Sequence, residues 1–270
     1  MPTIEASELT NTYQEKGFFY PITVLDSKEI EYYKSLYDQQ KALLGKDTDP
    51  NRFKQLHLHF PWAYKLVTHP TVLKHVTSLL GKNVLVHGSS VFSKSPGDET
   101  YVSWHQDGYY LKLKSFEYVS AWIALSDSTV ENGCMRFVPN SHQTILPHIE
   151  NPNSYNLLGS GLTVDKIIAD NDVVDVKLRA GEMSLHHVNL LHSSNPNVSD
   201  EKRVGFAVRY ISANFSQELP HHKVVLASGN YNESNFDLLQ SPPSGSLENC
   251  IKKQKIAHDQ YRHNRQFNSK

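Results

Sequence analysis

The segment SKEIEYYKSLYDQQKALL, residues 27–44, sets its apolar positions at the three-and-four spacing of one helical face. Ser27 stands where an N-cap belongs, Glu29 lies just inside and Gly45 just past the end, so a helix is predicted over 27–44. A second short helix fits 71–80, stopped by Gly81. In the middle of the chain the pattern changes to short runs rich in Val, Phe, Tyr and Trp, bounded by Gly, Pro, Asn and Asp, which reads as strands. These fall at 83–92, 101–106, 118–125, 134–138, 173–178, 182–187, 204–211 and 223–226. Such a series predicts a mainly β fold, a double-sheet jelly roll with flanking N-terminal helices. A polar stretch over 143–172 interrupts the series, with one helix expected at 164–169, and the tail from Leu247 reads as a surface helix with a frayed end.

A chain of 270 residues suits one domain of this kind. The expected division is a helical N-terminal layer over about 1–82, a jelly-roll core over about 83–226 and a C-terminal helical tail over about 245–270. Lys+Arg number 27 against Asp+Glu 28, so no overall positive field draws nucleic acid or an anionic membrane, and a small-molecule substrate is the expected partner. No feature specifies an oligomeric state. Cys134 and Cys250 are too few for a disulfide framework and belong to no zinc-type cluster. The first residues lack an apolar leader and no later run is long enough to cross a bilayer, so a cytoplasmic location is expected.

The composition also holds 15 histidines, enough for a His-x-Asp pair to arise by chance roughly once. Spacing therefore has to carry the chemistry. In YVSWHQDGYY, His105 and Asp107 stand two apart at the end of a predicted strand, and side chains two apart on a strand leave the same face. An imidazole and a carboxylate from one face, with a third ligand from elsewhere, make a facial triad that leaves coordination positions open. The segment GEMSLHHVNLLHSSNPN offers His186, His187 and His192 as the third. His192 is the choice, because it closes an apolar run before a polar turn; His186 and His187 point to opposite faces and are read as outer or supporting groups. Eleven residues on, Arg203 opens RVGFAVRYI, where Arg203, Gly205, Ala207 and Arg209 share one face and Val204, Phe206, Val208 and Tyr210 the other. The first face is expected inside: its small residues leave room for a ligand, and the Arg203 fork can grip a carboxylate.

The motifs WHQD, AWIAL, ENGCMRFVPNSH, GEMSLHH, LLHSSNPN and KRVGFAVRY occur in this order between about Asn83 and Ile211. Together they resemble the phytanoyl-CoA dioxygenase family of Fe(II)/2-oxoglutarate oxygenases, near its halogenating branch. The resemblance implies a double-stranded β-helix, a cupin-like form of jelly roll. It implies Fe(II), 2-oxoglutarate and O2 as cofactor and cosubstrates, with His105, Asp107 and His192 matching the metal ligands. Arg203 matches the arginine on the distal carboxylate of 2-oxoglutarate, Ser194 a hydroxyl beside the third ligand, and Trp122 an aromatic lining the cosubstrate site. Halogenases of this family carry a small residue where this chain has Asp107, so hydroxylation of an unactivated C–H bond, with release of succinate and CO2, is the outcome the resemblance implies.

Substrate residues are expected at Tyr109 and Tyr110 after the metal motif, at His57, His59 and Trp62 on a connecting segment, and at Arg209. The expected substrate is a small anionic or zwitterionic molecule such as an amino acid, an organophosphonate or a natural-product intermediate. The alternatives are a hydroxylase of acyl-CoA or carrier-bound substrates and a non-catalytic metal-binding jelly roll.

Overall fold

The structure is a computed structural model, and the residues described are 5–45, 48, 50–111, 117–158, 161–215, 222–232 and 235–268. Its helices are α1 (Ala6–Lys16), α2 (Ser27–Leu44), α3 (Pro61–Val67), α4 (Pro70–Leu80), α5 (Asp107–Leu111) and α6 (Leu247–Asn268). Its strands run in chain order as β1 (Phe18–Thr23), β2 (Val84–Lys94), β3 (Val102–His105), β4 (Tyr118–Ala124), β5 (Met135–Phe137), β6 (His148–Glu150) and β7 (Leu162–Val164). They continue as β8 (Val174–Val176), β9 (Glu182–His187), β10 (His192–Ser194), β11 (Arg203–Ser212), β12 (Lys223–Ser228) and β13 (Asp237–Leu238). Helix and strand take nearly equal shares, 32% and 31%, so the jelly roll is the core of the fold rather than most of its mass.

Two sheets face one another. The larger has the order β1-β9-β4-β11-β2-β12-β13 and the smaller β3-β10-β5-β8, while β6 and β7 form a separate ribbon. The expected eight strands are present. The first strand of the large sheet is an addition: β1 comes from the N-terminal layer and pairs with β9, so that layer is not purely helical. Its sequence, FFYPIT, has too short an alternation to stand out from its helical neighbours.

The helix predicted over 27–44 forms, but its cap is Asp26 rather than Ser27. The Asp26 carboxylate accepts from the Glu29 backbone N–H at 2.9 Å, and the Glu29 carboxylate accepts from the Asp26 backbone N–H at 2.9 Å. That reciprocal pair satisfies two otherwise orphaned donors, which places the boundary one residue earlier. No helix forms at 164–169. Leu162 and Val164 are buried on one side of β7 with Thr163 between them, a period of two that suits pairing with β6 better than a helical turn. The tail helix α6 is more than a surface element. Its Gln254 side chain donates to the Arg52 carbonyl at 2.8 Å, Arg52 donates to the Ile251 carbonyl at 3.0 Å, and Cys250 is fully buried.

Helices α1 to α4 pack on the outer face of the large sheet. Val204, Phe206, Val208 and Tyr210 of β11 join Val119, Ala121 and Ile123 of β4 and the helical residues Tyr37, Trp62, Leu66, Val72 and Val76 in one apolar core. A smaller cluster with Trp122, Met135, Phe137 and Leu190 lies between the sheets. The candidate metal ligands come from the small sheet and the helix after β3, facing the inner side of the large sheet.

Candidate metal centre

His105 ends β3 and His192 opens β10, and the two are direct partners across this antiparallel pair. Their ring centroids lie 4.0 Å apart. Each ring is oriented in the same manner: Nδ1 of His105 meets the Ser103 carbonyl at 2.8 Å and Nδ1 of His192 meets the Leu190 carbonyl at 2.9 Å. A carbonyl can only accept, so Nδ1 carries the proton in both rings and Nε2 presents its lone pair, the form in which imidazole binds a metal. Burial, and then the neighbouring His105, hold the His192 imidazole well below its usual range, which keeps it neutral.

Asp107 completes the group. Ligand atoms of His105, Asp107 and His192 all lie within 4.8 Å of one another, a spacing that one ion can bridge. The strand, however, ends at His105, and Asp107 opens α5. The two residues therefore do not meet as same-face neighbours on one strand, as the sequence suggested. A turn delivers the carboxylate instead, bringing Asp107 Oδ1 to 3.6 Å from His105 Nε2. Gly108 makes this turn possible, because a Cβ there would stand 1.9 Å from the Asn189 side-chain oxygen. Burial alone would raise the Asp107 carboxyl. Arg209, with Nε 3.7 Å from Asp107 Oδ2, together with the two histidines holds it well below the usual carboxylate range.

Gln106, between the two ligands, is an anchor that sequence reasoning missed. Fully buried, its side chain donates to the carbonyls of Thr144 at 2.8 Å and Asn189 at 2.6 Å and accepts from the Leu146 backbone N–H at 2.8 Å. No local pattern marks this role, since all three partners are distant in sequence.

The inner face of β11 is as the sequence predicted, with Arg203, Gly205, Ala207 and Arg209 turned toward the small sheet. Arg203 is 2% exposed; its Nη1 donates to the Gly133 carbonyl and its guanidinium lies 5.6 Å from the Trp122 ring centroid. Gly205 serves Trp122 rather than leaving open room: a Cβ at 205 would stand 1.8 Å from the indole. Ser194 is buried on β10, and its hydroxyl accepts from Lys94 at 2.9 Å. His186, read beforehand as outer or supporting, is buried with its ring 5.0 Å from that of His192. His187 instead contacts Tyr13 and His142.

The substrate residues divide. Arg209 reaches the metal cluster through Asp107. Tyr109 stays at its rim, 38% exposed and stacked 4.1 Å from His148. The Tyr110 side chain lies outside the described residues. Trp62 is a correction: it is a core residue against Phe206, its indole N–H donating to Gln40 at 3.2 Å, because the apolar face of α3 packs on the outer side of the sheet. His57 is a second correction. Its Nδ1 meets the Ser89 hydroxyl at 2.8 Å, and Ser89 shares the outer face with its partner Val208, so His57 is anchored on the helical side. His59 is half-buried, and burial, then Lys223 and Arg52, pull its imidazole down to about 4.

Among the buried polar atoms that have no hydrogen-bond partner among the described residues, Arg203 Nε, Ser184 Oγ, Ser120 Oγ and His186 Nδ1 lie on the inner side. Strand register arranges them. Ser184 lies beside Trp122, and one row on, Arg209, Ser120 and His186 follow one another across β11, β4 and β9. Unsatisfied buried groups cost about 1–3 kcal/mol each. With Arg203 further along β11, this inner face offers polar groups that suit a polar, anionic ligand.

The family profile of phytanoyl-CoA dioxygenase (PhyH) matches residues 13–205. Phytanoyl-CoA dioxygenase domain-containing protein 1 of Mus musculus is 34% identical over 195 residues, covering 70% of this chain and 66% of its own length. A probable alpha-ketoglutarate-dependent hypophosphite dioxygenase of Stutzerimonas stutzeri is 27% identical over 165 residues, covering 60% of this chain and 57% of its own. The chain thus spans less than two thirds of the length of these curated relatives, 66% of the one and 57% of the other. Among solved structures, the apo form of the non-heme monooxygenase ThoJ superposes with a TM-score of 0.79 at 28% identity, covering 97% of this chain and all 100% of that one. The epimerase SnoN, solved with Fe3+, alpha ketoglutarate and nogalamycin RO, shares the fold at a TM-score of 0.63 and 22% identity, covering 90% of this chain and 96% of its own. With the profile matching residues 13–205, most of the chain, the chain belongs to the phytanoyl-CoA dioxygenase family.

Proposed function

We propose that this protein is an Fe(II)- and 2-oxoglutarate-dependent dioxygenase that hydroxylates a C–H bond of a small anionic or zwitterionic substrate. The observation that carries the reading is the convergence of His105, Asp107 and His192, with Nδ1 of both rings held by backbone carbonyls so that each Nε2 is left for a metal, on the inner side of the fold where Arg203 is also buried. Two imidazoles and a carboxylate form the facial set that suits non-haem iron and leaves positions open. Bound there, iron with 2-oxoglutarate and O2 supplies the oxidising power for hydroxylation, with succinate and CO2 as co-products.

The chain's own residues do the positioning. His105, Asp107 and His192 hold the metal, and Arg209 keeps the Asp107 carboxylate ionised and aimed. Arg203 grips the distal carboxylate of 2-oxoglutarate with its fork, the Ser194 hydroxyl contributes a further donor, and the Trp122 indole forms a wall that keeps water from the cosubstrate. Ser184 and Ser120 offer hydroxyls along the way. Arg209 supports an anionic group on the substrate, being the one cation of the expected substrate set that reaches the metal cluster.

The test begins with an anaerobic titration of Fe(II) and 2-oxoglutarate, for which a weak visible charge-transfer band is expected. Incubation with metabolite extract under isotopically heavy O2 should then give succinate together with a product carrying one labelled atom. Folded protein that binds Fe(II) but leaves 2-oxoglutarate intact with every extract would support a non-catalytic metal-binding jelly roll instead.

A further inference from the structure

Lys94 closes β2 and is the direct partner of Arg203 on β11. Partners in register on antiparallel strands send their side chains to the same side, so both cations lie on the inner face of the large sheet. Lys94 is 0% exposed and Arg203 2%. Neither makes an ion pair among the described residues, and Asp98, the acid whose charge both feel, gives its carboxylate to the backbone N–H groups of Thr100 at 2.9 Å and Ser95 at 3.3 Å. Two buried cations side by side without a carboxylate are costly in a dry interior. Burial, and then Arg203, pull the Lys94 ammonium down to about 7.

The hydrogen bonds show what Lys94 touches. Its Nζ donates to the Ser194 hydroxyl at 2.9 Å, to the Ser194 carbonyl at 3.4 Å and to the Asn195 carbonyl, which uses all three of its donors. A hydroxyl that accepts from an ammonium keeps its own proton for another acceptor. Ser194 stands two residues from His192 on β10, on the face that His192 presents to the cavity. The donors still open at this end are thus the Ser194 O–H and the orphaned Arg203 Nε.

We infer that Lys94 is a positioning residue for the cosubstrate: its buried ammonium holds the Ser194 hydroxyl and adds a second positive charge beside Arg203, which makes the cavity selective for a 2-oxo acid with a distal carboxylate. The inference rests on the reading of the site as a 2-oxoglutarate site. A competing role, in which Lys94 only ties the turn at 194–196 to β2, predicts a general loosening of the site with no preference among ligands.

The two are separated by calorimetric titration of the full-length protein loaded with Mn(II), using 2-oxoglutarate and 2-oxobutyrate, which keeps the keto-acid end and lacks the distal carboxylate. The wild type should prefer 2-oxoglutarate. Lys94→Met should weaken 2-oxoglutarate about 10- to 100-fold, the range for a lost charge-assisted contact, and leave 2-oxobutyrate unchanged. Equal weakening of both ligands, or no weakening of either, overturns the inference. Wild-type protein that binds Mn(II) but neither 2-oxo acid overturns the underlying reading of the site, a result distinct from either. Should Lys94→Met fail to fold, Lys94→Gln, which retains a donor to Ser194, is read by the same contrast with a smaller loss.

Discussion

The two faces of β11 differ by a single residue of register and by almost everything else. On the outer face Val204, Phe206, Val208 and Tyr210 are fully buried in the main apolar core, and the one polar atom there, the Tyr210 hydroxyl, donates to the Val67 carbonyl at 2.9 Å. On the inner face Arg203 and Arg209 carry charge, Arg209 3.7 Å from the Asp107 carboxylate, and the neighbouring inner positions Ser120, Ser184 and His186 hold polar atoms with no hydrogen-bond partner among the described residues. The outer face is closed by apolar packing against the helices. The inner face carries the charged and polar groups that a ligand can use. One strand can serve both ends because its side chains alternate, so stability and chemistry are separable by residue parity.

The strongest test of that separation lies across from the inner face. His192→Ala should lower metal-dependent turnover by more than 100-fold, beyond the 10–100-fold that even supporting contacts to metal ligands carry, while the thermal midpoint of the metal-free protein stays near that of the wild type. Arg203→Leu should raise KM for 2-oxoglutarate about 10- to 100-fold. Its metal-free stability should hold or rise, because a buried charge without a carboxylate partner is removed; a large loss of stability would mean that Arg203 is chiefly structural.

Phe206→Ala, on the opposite face, should cost about 3–5 kcal/mol in chemical denaturation yet leave KM for 2-oxoglutarate unchanged in the protein that remains folded. Gly205→Ala crosses the boundary. Its new Cβ would stand 1.8 Å from the Trp122 indole, so the ring must shift, with an expected loss of about 1–3 kcal/mol and a weaker cosubstrate site measured in the same titrations.

The smallest effect is pH-dependent and belongs to the helical side. Burial pulls the His57 imidazole down to about 3, so as pH falls below 6.5 the unfolded chain takes up a proton that the folded chain refuses. Stability should therefore fall through this window, by about 2 kcal/mol at pH 5 for this group. Urea midpoints at pH 7 and pH 5 should differ more for the wild type than for His57→Gln.

Much of this was legible beforehand wherever a local rule applied. The helix at 27–44 followed from its apolar period and a carboxylate at N3, although the neighbouring Asp26 is the better cap. The facing of Arg203 and Arg209 followed from alternation alone. Trp62 and His57 were misread because a connecting segment carries no period that says which side of a sheet it will cross, and packing against Phe206 and Ser89 made that choice. Lys94 and Gln106 gave no signal, since each acts through partners far away in sequence.

What the sequence by itself determined is therefore periodic and chemical: where the chain turns helical or extended, which residues of β11 share a face, and that imidazoles, a carboxylate and an arginine are available in a family-like order. Only the tertiary structure decided which of the 15 histidines meet. It paired His105 with His192 across β3 and β10, swung Asp107 in on a turn, set Lys94 against Arg203 and turned polar atoms inward that have no hydrogen-bond partner among the described residues. The physical reason is that alternation fixes a side chain's face within one strand, whereas its neighbours are fixed by how the sheets roll and close. Between the sheets that closure is held by the apolar contacts of Trp122, Met135, Phe137 and Leu190, none of them a metal-ligand residue.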